Sequence, residues 1–327
     1  MSSEPLVTTI VTCCNKAPWI EQCIRSVLSQ SIADSEVLVI DDASTDGSVE
    51  IVRRLEAENT GRLCTIFHRE NKGLPVTWRE AVGAARGSYI ARLDGDDWWL
   101  SDDKLEKQIA ALESSEGESK WCNTDFSIFD KGDALVSEAC FENGTIPLPR
   151  SFEEILSTRG FTNPSTWLAD AGLLKDATAY MRDEAADDSF EMQLYMFRKT
   201  KLVTVWEPLV ANRMMQGSDS RPKNTEAALE RCRGLLKSQL EGLERAEARE
   251  VDYHRLARLL LEEQEGHCEA TVRFNEAIST KDEYISLLET RAEKLEKELV
   301  RTRAELDSVY ASKRWRLGSK LASLIGR

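Results

Sequence analysis

Three predicted strands near the start of the chain end in acidic or polar residues. These ends are Thr12-Cys13-Cys14-Asn15, Asp41-Asp42 and Asp94-Gly95-Asp96-Asp97. In an open parallel sheet, ligands bind outside the carboxyl ends of the strands. Carboxylates gathered there repel each other unless a cation lies between them, and Mg²⁺ or Mn²⁺ bound to a substrate diphosphate meets that need. The alternative is that these Asp residues only cap helices and turns, a role that suits Asp41.

The elements that would position these residues alternate between strand and helix. Apolar or β-branched runs predict strands at Leu6–Thr12, Glu36–Ile40, Leu63–His68 and Ser88–Leu93. Helical spacing and capping residues predict helices at Pro18–Ser31, Ser44–Glu58 and Val76–Ala85. This alternation predicts an α/β fold whose Rossmann-like, mostly parallel sheet is flanked by helices. Beyond residue 100 the pattern loosens, with a helix predicted at Asp187–Lys199 and a strand at Leu202–Val205.

The composition predicts a folded, acidic protein. Of 327 residues, 41% are hydrophobic, and 57 acidic against 43 basic residues give a net charge of −14. A surface of this sign repels phosphate backbones, which argues against nucleic acid as a partner. The eight cysteines include no C-x-x-C pair, which indicates reduced thiols. Because no apolar run reaches the ~20 residues that span a bilayer, we expect a cytoplasmic protein.

The C-terminal part of the chain has a different composition. After Asn224, Gly and Pro become scarce, which predicts a domain boundary near residue 222. From Ile285 to Val309, mostly apolar residues (Ile, Leu, Ala and Val, with one Thr) recur at alternating steps of three and four. The a and d positions of a heptad repeat have the same spacing. We interpret 223–270 as a helical linker region and 271–312 as a coiled coil that forms a homo-oligomer, either a dimer or a trimer. The alternative is a helix packed on its own globular domain.

Residues 313–327 form a basic amphipathic tail. Five Lys or Arg residues and no acid stand there beside Trp315 and several Leu and Ile residues. On an acidic protein, this pattern predicts docking to a membrane surface, with a cap on the coiled coil as the alternative. We therefore expect a peripheral contact with the inner face of the cell membrane.

Two segments, 8–48 and 71–99, resemble the family 2 glycosyltransferases of the GT-A fold. They contain several motifs in the order and spacing typical of that family, among them its acidic D-x-D motif within LDGDD. The resemblance covers residues 1–222 and implies a GT-A domain followed by the helical arm. It also implies an inverting, metal-assisted enzyme of polysaccharide biosynthesis. Such an enzyme moves a sugar from a nucleotide-diphosphate donor to a hydroxyl of a glycan or lipid-linked acceptor, with Mn²⁺ or Mg²⁺ as the cofactor.

The resemblance also assigns site residues. Those assigned to the donor are Thr12, Cys14, Asn15, Asp42, Arg79, Asp94, Asp96 and Arg213. Asp96 would lie near the ribose, and Asp97, together with Asp96, would hold the metal. In the run Ala186-Asp187-Asp188, the last acid matches the catalytic base of the family, which takes the proton of the acceptor hydroxyl. The alternative for Asp187 and Asp188 is favourable placement at a helix N-terminus.

Three residues depart from the family pattern: Cys14 replaces Tyr, Glu80 replaces Asn and Met215 replaces His. A thioether is a poor ligand for a hard cation. Either metal binding therefore relies on Asp97 and phosphates, or Arg213 and Ser218 hold the diphosphate. The departures leave open a catalytically silent GT-A subunit that binds or scaffolds. A sugar nucleotidyltransferase is disfavoured, because CCNKAPW after the first strand is not a Gly-rich phosphate loop.

Overall fold

The computed structural model describes residues 4–115, 117–215, 224–247, 250–263, 265–266, 269, 290–291, 293–294 and 296–305. The chain divides into two compact units, Met1–Leu261 and Glu262–Arg327. The boundary predicted near residue 222 therefore falls inside the first unit. The reason is a helix at Thr225–Glu244 that packs onto the preceding residues, which a change in composition does not reveal.

The first unit combines one mixed sheet with packed helices. Its strands are β1 (Val7–Cys13), β2 (Ser35–Asp41), β3 (Leu63–Phe67), β4 (Tyr89–Asp94), β5 (Trp98–Trp99), β6 (Ser119–Phe129), β7 (Leu135–Ser137), β8 (Leu168–Asp170) and β9 (Lys201–Arg213). Its helices are α1 (Ile20–Leu28), α2 (Ser48–Glu58), α3 (Leu74–Ala84), α4 (Lys104–Ser114), α5 (Phe152–Thr158), α6 (Ala171–Tyr180), α7 (Asp188–Lys199) and α8 (Thr225–Glu244). A 3₁₀ turn at Pro164–Thr166 precedes β8, and residues 253–261 of this unit are also helical.

The strand order brings the predicted acidic ends together. Among the described residues, the strands form a nine-stranded sheet in the order β3-β2-β1-β4-β8-β6-β9-β5, with β7 paired to β6. The first four neighbours are parallel, while β8 is antiparallel to β4 and β6. The registers place Cys13 beside Asp41 and Thr12 beside Asp94. The predicted α/β fold is confirmed, and the carboxyl ends of β1, β2 and β4 lie on one edge.

Local sequence patterns explain how these elements pack. In α1 the buried side chains are Ile20, Cys23, Ile24 and Val27, the spacing of three and four expected of a half-buried helix. At the end of β4, the N–H of Gly95 donates to the carbonyl oxygen of Thr12 at 2.9 Å. A Cβ on Gly95 would lie 2.6 Å from that oxygen. Only glycine therefore lets the turn after β4 lie directly against the end of β1.

The C-terminal segment is described in part. Residues 290–291, 293–294 and 296–305 are helical. Most of the predicted coiled coil at 271–312, and the whole basic tail at 313–327, lie outside the described residues, so both stay predictions. In the part of the chain that the structure describes, no helix combines the length and apolarity needed to cross a membrane.

Candidate functional site

The edge formed by β1, β2 and β4 carries the residues predicted to bind a donor. Thr12 ends there with its Oγ1 donating to Oδ1 of Asp94 at 3.2 Å. Asp41 accepts hydrogen bonds from the backbone N–H and the hydroxyl of Ser44, at 2.9 and 2.5 Å. Asp41 therefore closes a local turn, as the capping alternative proposed.

Asp42 holds the loop after β3 against the sheet edge. Its carboxylate accepts the backbone N–H groups of Lys72 and Gly73 at 2.8 and 2.9 Å, and Nδ1 of His68 lies 2.7 Å from Oδ1. Burial alone would raise the pKa of Asp42, but these hydrogen bonds hold it below its ordinary value. Glu80, the residue in place of the family's Asn, pairs with Lys72 at 2.8 Å. The loop that forms one wall of the site is thus anchored by an ionised Asp42.

Cys14 and Asn15 shape the neighbouring wall. Cys14 is partly exposed, and its Sγ accepts the side-chain amide of Asn71 at 3.5 Å. Burial, followed by the charges of Asp42 and Asp41, raises the pKa of Cys14, which keeps it a neutral thiol. Asn15 has a positive φ of 56°, and its Oδ1 accepts the backbone N–H of Thr45 at 2.8 Å. Cys14 thus lies at the edge, while the Asn15 side chain joins two loops.

Asp97 lies inside the fold. Its carboxyl is 2% exposed and accepts Ser165 Oγ at 2.6 Å, Asn212 Nδ2 at 2.9 Å and the backbone N–H of Arg213 at 2.8 Å. Burial, followed by the charges of Asp96 and Asp94, raises its pKa to about 8. These contacts tie the 3₁₀ turn to the end of β9. Both oxygens of the predicted metal ligand are therefore engaged by protein donors.

Asp94 and Asp96 are the more open acids of the motif. Their side chains are 34% and 12% exposed. The ammonium of Lys16 lies 2.5 Å from Oδ2 of Asp96, and although burial alone would lower the Lys16 pKa, Asp96 raises it above its ordinary value. Lys16 follows the end of β1, and no sequence pattern predicted its contact with Asp96, because the two residues lie 80 positions apart. Within the described ranges, no three or more His, Cys, Asp or Glu side chains cluster to hold a metal.

Arg213, predicted to bind the diphosphate, is enclosed. Its Nε donates to the carbonyl oxygen of Asp96 at 2.9 Å, and its Nη2 donates to Gln22 at 3.0 Å. The guanidinium also pairs with Asp133 and lies 4.6 Å from the ring centroid of Trp98. With 1% of its side chain exposed, Arg213 fixes the backbone of the acidic motif and does not face the open edge.

Arg79, the other predicted donor cation, points toward α6. Its Nη2 donates to the carbonyl oxygen of Met181 at 2.7 Å, its Nε donates to that of Thr178 at 3.3 Å, and the guanidinium pairs with Asp183. The structure thus engages Arg79 between helices, whereas the carboxylate of Asp96 pairs with Lys16.

Arg92 joins the acidic motif to the predicted base. Its Nη1 lies 2.6 Å from Oδ2 of Asp188, while its Nη2 and Nε donate to Oδ1 of Asp94 at 3.2 and 3.3 Å. The guanidinium is buried, 4.3 Å from the ring centroid of Trp78. Arg92 was not among the site residues predicted from the sequence. It precedes Asp94 by two residues, so both share one face of β4, and that alternation was the signal available.

The adjacent acids Asp187 and Asp188 have different environments. Asp187 caps α7, accepting the backbone N–H groups of Ser189 and Phe190 at 2.9 and 3.0 Å. Burial would raise its pKa, but the Arg231 guanidinium and the Ser189 contacts hold it below its ordinary value. Burial raises the pKa of Asp188 to about 6, against the opposing effect of Arg92. Two neighbouring carboxyls whose pKa values are driven apart are typical of an acid–base site.

Comparison with known protein sequences identifies the same segments. Residues 8–139 match the model of Glycosyl transferase family 2. Over 106 residues the chain is 40% identical to a putative teichuronic acid biosynthesis glycosyltransferase, TuaG, of Bacillus subtilis, covering 32% of this chain and 41% of that protein. Over 102 residues it is 35% identical to chondroitin synthase of Pasteurella multocida, covering 31% and 10%. The matches thus span less than half the length of these curated relatives.

Solved structures extend the likeness to most of the chain. S. aureus TarS 1–349 in complex with UDP-GlcNAc has a TM-score of 0.59 at 18% identity, covering 79% of this chain and 71% of that one. The mannosyltransferase PcManGT from Pyrobaculum calidifontis, in complex with GDP-Man and Mn²⁺, has a TM-score of 0.61 at 17% identity, covering 98% and 85%. At these identities the likeness shows the fold alone. It confirms the GT-A fold that the sequence predicted.

Proposed function

We propose that this chain, which carries a family 2 glycosyltransferase domain of the GT-A fold, is an inverting glycosyltransferase. It would move a sugar from a nucleotide-diphosphate donor to a hydroxyl of a glycan or lipid-linked acceptor. The observation that carries the proposal is the position of Asp188 and Asp94 on the same buried guanidinium of Arg92. The names of the relatives, which include polysaccharide-forming enzymes, and the UDP-GlcNAc and GDP-Man bound by the structural neighbours support this donor and acceptor class.

Asp188 is suited to the proton transfer in this reaction. As the acceptor oxygen bonds to the anomeric carbon, its proton passes to the Asp188 carboxylate, and the bond from that carbon to the nucleoside diphosphate breaks. One displacement from the opposite face inverts the anomeric configuration. A pKa of about 6 leaves most of the Asp188 carboxyl ionised at neutral pH and keeps it basic enough to accept the proton.

Asp94 and Asp96 are the residues that would hold a divalent metal. Their oxygens are the ligands that Mg²⁺ and Mn²⁺ prefer, and phosphate oxygens commonly complete such sites. The ammonium of Lys16 already pairs with Asp96, which supports a position for positive charge beside this carboxylate. A bound metal neutralises charge that develops on the leaving diphosphate. Asp97 suits this role less well, because its hydrogen bonds engage both of its oxygens, whereas the three side-chain hydrogen bonds that Asp94 accepts all fall on Oδ1.

Substitutions at Asp96 and Asp97 should separate these roles. Asp96→Asn is expected to weaken metal-dependent donor binding about tenfold or more, because it removes an anionic ligand and keeps the shape of the side chain. Asp97→Asn is expected to lower the free energy of unfolding by about 1–3 kcal/mol, because an amide N–H₂ would face a hydrogen-bond donor. Titration calorimetry with nucleotide sugar, with and without Mn²⁺, and chemical unfolding measure both effects. Loss of donor binding in folded Asp97→Asn, with Asp96→Asn unchanged, would reverse the assignment.

Screening donors on the full chain tests the proposed activity. Folded protein is incubated with UDP-, GDP- and dTDP-sugars, each with Mn²⁺, Mg²⁺ or EDTA, and release of nucleoside diphosphate is measured. We expect release from one class of donor, stimulated by a divalent metal. If a donor binds and no combination releases nucleoside diphosphate, with or without a panel of glycan acceptors, the catalytically silent subunit is correct. The relatives named as glycosyltransferases disfavour that alternative.

The remaining partners are proposed from the sequence. Residues 271–312 would join copies of the chain, and the basic tail at 313–327 would contact the membrane where lipid-linked acceptors reside. We propose that such a contact would be with the cytoplasmic face of the membrane. Light scattering on the full chain measures the order of the oligomer.

A further inference from the structure

Helix α8 contacts the segment that carries the proposed base. Both the helix and this segment lie outside the family match at 8–139. Nη2 of Arg231 lies 2.6 Å from Oδ2 of Asp187, and Nη1 of Arg231 donates to the carbonyl oxygen of Ala186 at 3.1 Å. One guanidinium therefore holds both a side chain and the backbone of the two residues directly before Asp188. Such a fork of donors fixes orientation more firmly than a single contact does.

Close packing accompanies this ion pair. Gly234 lies three residues after Arg231, on the same face of α8, and a Cβ at Gly234 would lie 2.3 Å from Cβ of Ala186. No side chain larger than hydrogen fits at this position unless α8 moves away. The glycine thus brings the backbone of α8 directly against the segment, within reach of the Arg231 contacts.

A second group of contacts holds the flanks of the same segment. Ser238 of α8 donates to Glu191 at 2.7 Å, and Arg182 donates to Ser238 at 2.9 Å. Arg182 also pairs with Glu191 at 2.5 Å and with Glu241 of α8 at 3.1 Å. Residues 182 and 191, which flank the acids, are therefore joined to each other and to α8. The helix contacts this segment at its flanks and at its centre.

We propose that α8 is a positioning element for the base, and that Arg231 is its positioning residue. This inference rests on the proposed function of Asp188. Arg231 neutralises Asp187, so that Asp188 does not face a second uncompensated carboxylate beside it. The other charges around Asp188 come from β4, where Arg92 opposes and Asp94 favours protonation. By fixing Asp187 at the N-cap, Arg231 also sets where the first turn of α7 places Asp188.

Replacing Arg231 tests the inference, with Lys237→Ala as the matched control. Lys237 lies on α8 and loses the same charge, but it is exposed and pairs only weakly within the helix, at 3.9 Å from Glu241. Arg231→Ala is expected to lower kcat by about ten- to a hundredfold through misplacement of Asp188. Donor affinity should stay within about twofold, because Asp94 and Asp96 are untouched. The acidic limb of the pH–rate profile should move to higher pH, because the charge of Asp187 is left uncompensated.

Two further measurements separate positioning from folding. Hydrogen exchange at the amides of Ser189 and Phe190, which donate to Asp187, should accelerate in Arg231→Ala and not in Lys237→Ala. Arg231→Lys, which keeps the charge, should restore part of kcat and return the pH limb toward that of the unmodified protein. If kcat, the pH limb and amide exchange in Arg231→Ala all match the control, the inference is wrong.

Asp188→Asn belongs in the same series, so that two failures can be told apart. If Asp188→Asn is inactive and Arg231→Ala behaves like the control, only the inference about α8 fails. If Asp188→Asn retains full turnover, the proposed base fails, and with it the premise of the inference. Exchange at Ser189 and Phe190 still reports in that case whether Arg231 orders the segment.

Discussion

Asp188→Asn is expected to lower kcat for sugar transfer by about 10²–10⁴-fold, the usual contribution of a general base. The amide has the shape of the carboxylate but cannot accept the proton of the acceptor hydroxyl. Donor affinity should remain, because the carboxylates of Asp94 and Asp96 are intact. Steady-state kinetics with the donor found by screening, together with titration calorimetry for donor binding, measure both quantities.

Asp34→Asn is the control for this substitution. Asp34 is exposed and precedes β2, at the opposite end of that strand from Asp41 and Asp42. The control loses one carboxylate and should keep kcat and donor affinity. Turnover in Asp188→Asn equal to that of Asp34→Asn would show that another group accepts the proton.

The pH dependence of kcat in the unmodified enzyme should also report the titration of Asp188. Because burial raises the pKa of Asp188 to about 6, the carboxyl becomes protonated as the pH falls through that value. A protonated carboxyl cannot act as the base, so kcat should fall about tenfold for each further pH unit. The residual turnover of Asp188→Asn should lack this limb. If the acidic limb of the pH–rate profile persists in Asp188→Asn, a group other than Asp188 causes it.

Arg92→Met is expected to lower the free energy of unfolding by about 3–5 kcal/mol, because a buried ion pair that loses one partner leaves uncompensated charge. Here the side chain is 4% exposed and serves two carboxylates, Asp94 and Asp188. Loss of the cation should also raise the pKa of Asp188 further and move the acidic limb to higher pH. Denaturant unfolding and pH–rate profiles are the measurements.

Two further variants serve as comparisons for Arg92→Met: Arg92→Lys, which keeps the charge, and Arg25→Met, which removes a surface arginine. Lysine keeps the charge but not the planar fork, so it should recover part of the stability and still lower kcat, because one ammonium serves two carboxylates poorly. Arg25 is half exposed and pairs with surface glutamates, so Arg25→Met should cost less than about 1 kcal/mol. A loss of stability in Arg92→Met no larger than in Arg25→Met would contradict the bridging role.

The contacts of Arg92 link two carboxylates of the site, Asp94 and Asp188. In the proposed reaction Asp94 would belong to the donor side of the site and Asp188 to the acceptor side, and the same guanidinium contacts both. A change in the charge around Asp94 therefore alters the electrostatic environment of Asp188. If the proposed roles hold, donor binding beside Asp94 would affect the basicity of Asp188 through Arg92.

Local sequence patterns determined many of the individual strands and helices. The strand predicted at Glu36–Ile40 is observed at Ser35–Asp41, and the helix predicted at Asp187–Lys199 is observed at Asp188–Lys199. Hydrophobic periodicity reveals such elements, because one face of a strand or helix meets the core and the other meets solvent. Apolar residues therefore recur every two residues in a strand and every three or four in a helix. The strand predicted at Leu202–Val205 extends to Lys201–Arg213, because pairing with β6 and β5 stabilises polar positions that periodicity alone leaves out.

The sequence by itself also determined which residues meet at the sheet edge. Thr12, Asp42 and Asp94 stand at or directly after the ends of parallel strands, and parallel strands end on the same side of a sheet. That rule uses only the order and direction of the elements. It required no knowledge of the partners of any side chain.

Only the tertiary structure decided what each charged group does there. Asp97 is enclosed by Arg213, 116 residues away along the chain, while Lys16 reaches Asp96 from 80 residues away. Arg231 reaches Asp187 from α8, beyond the predicted boundary. The protonation and orientation of a carboxylate depend on burial and on charges a few ångströms away. Those neighbours come from segments distant in sequence, so no local pattern carries the information.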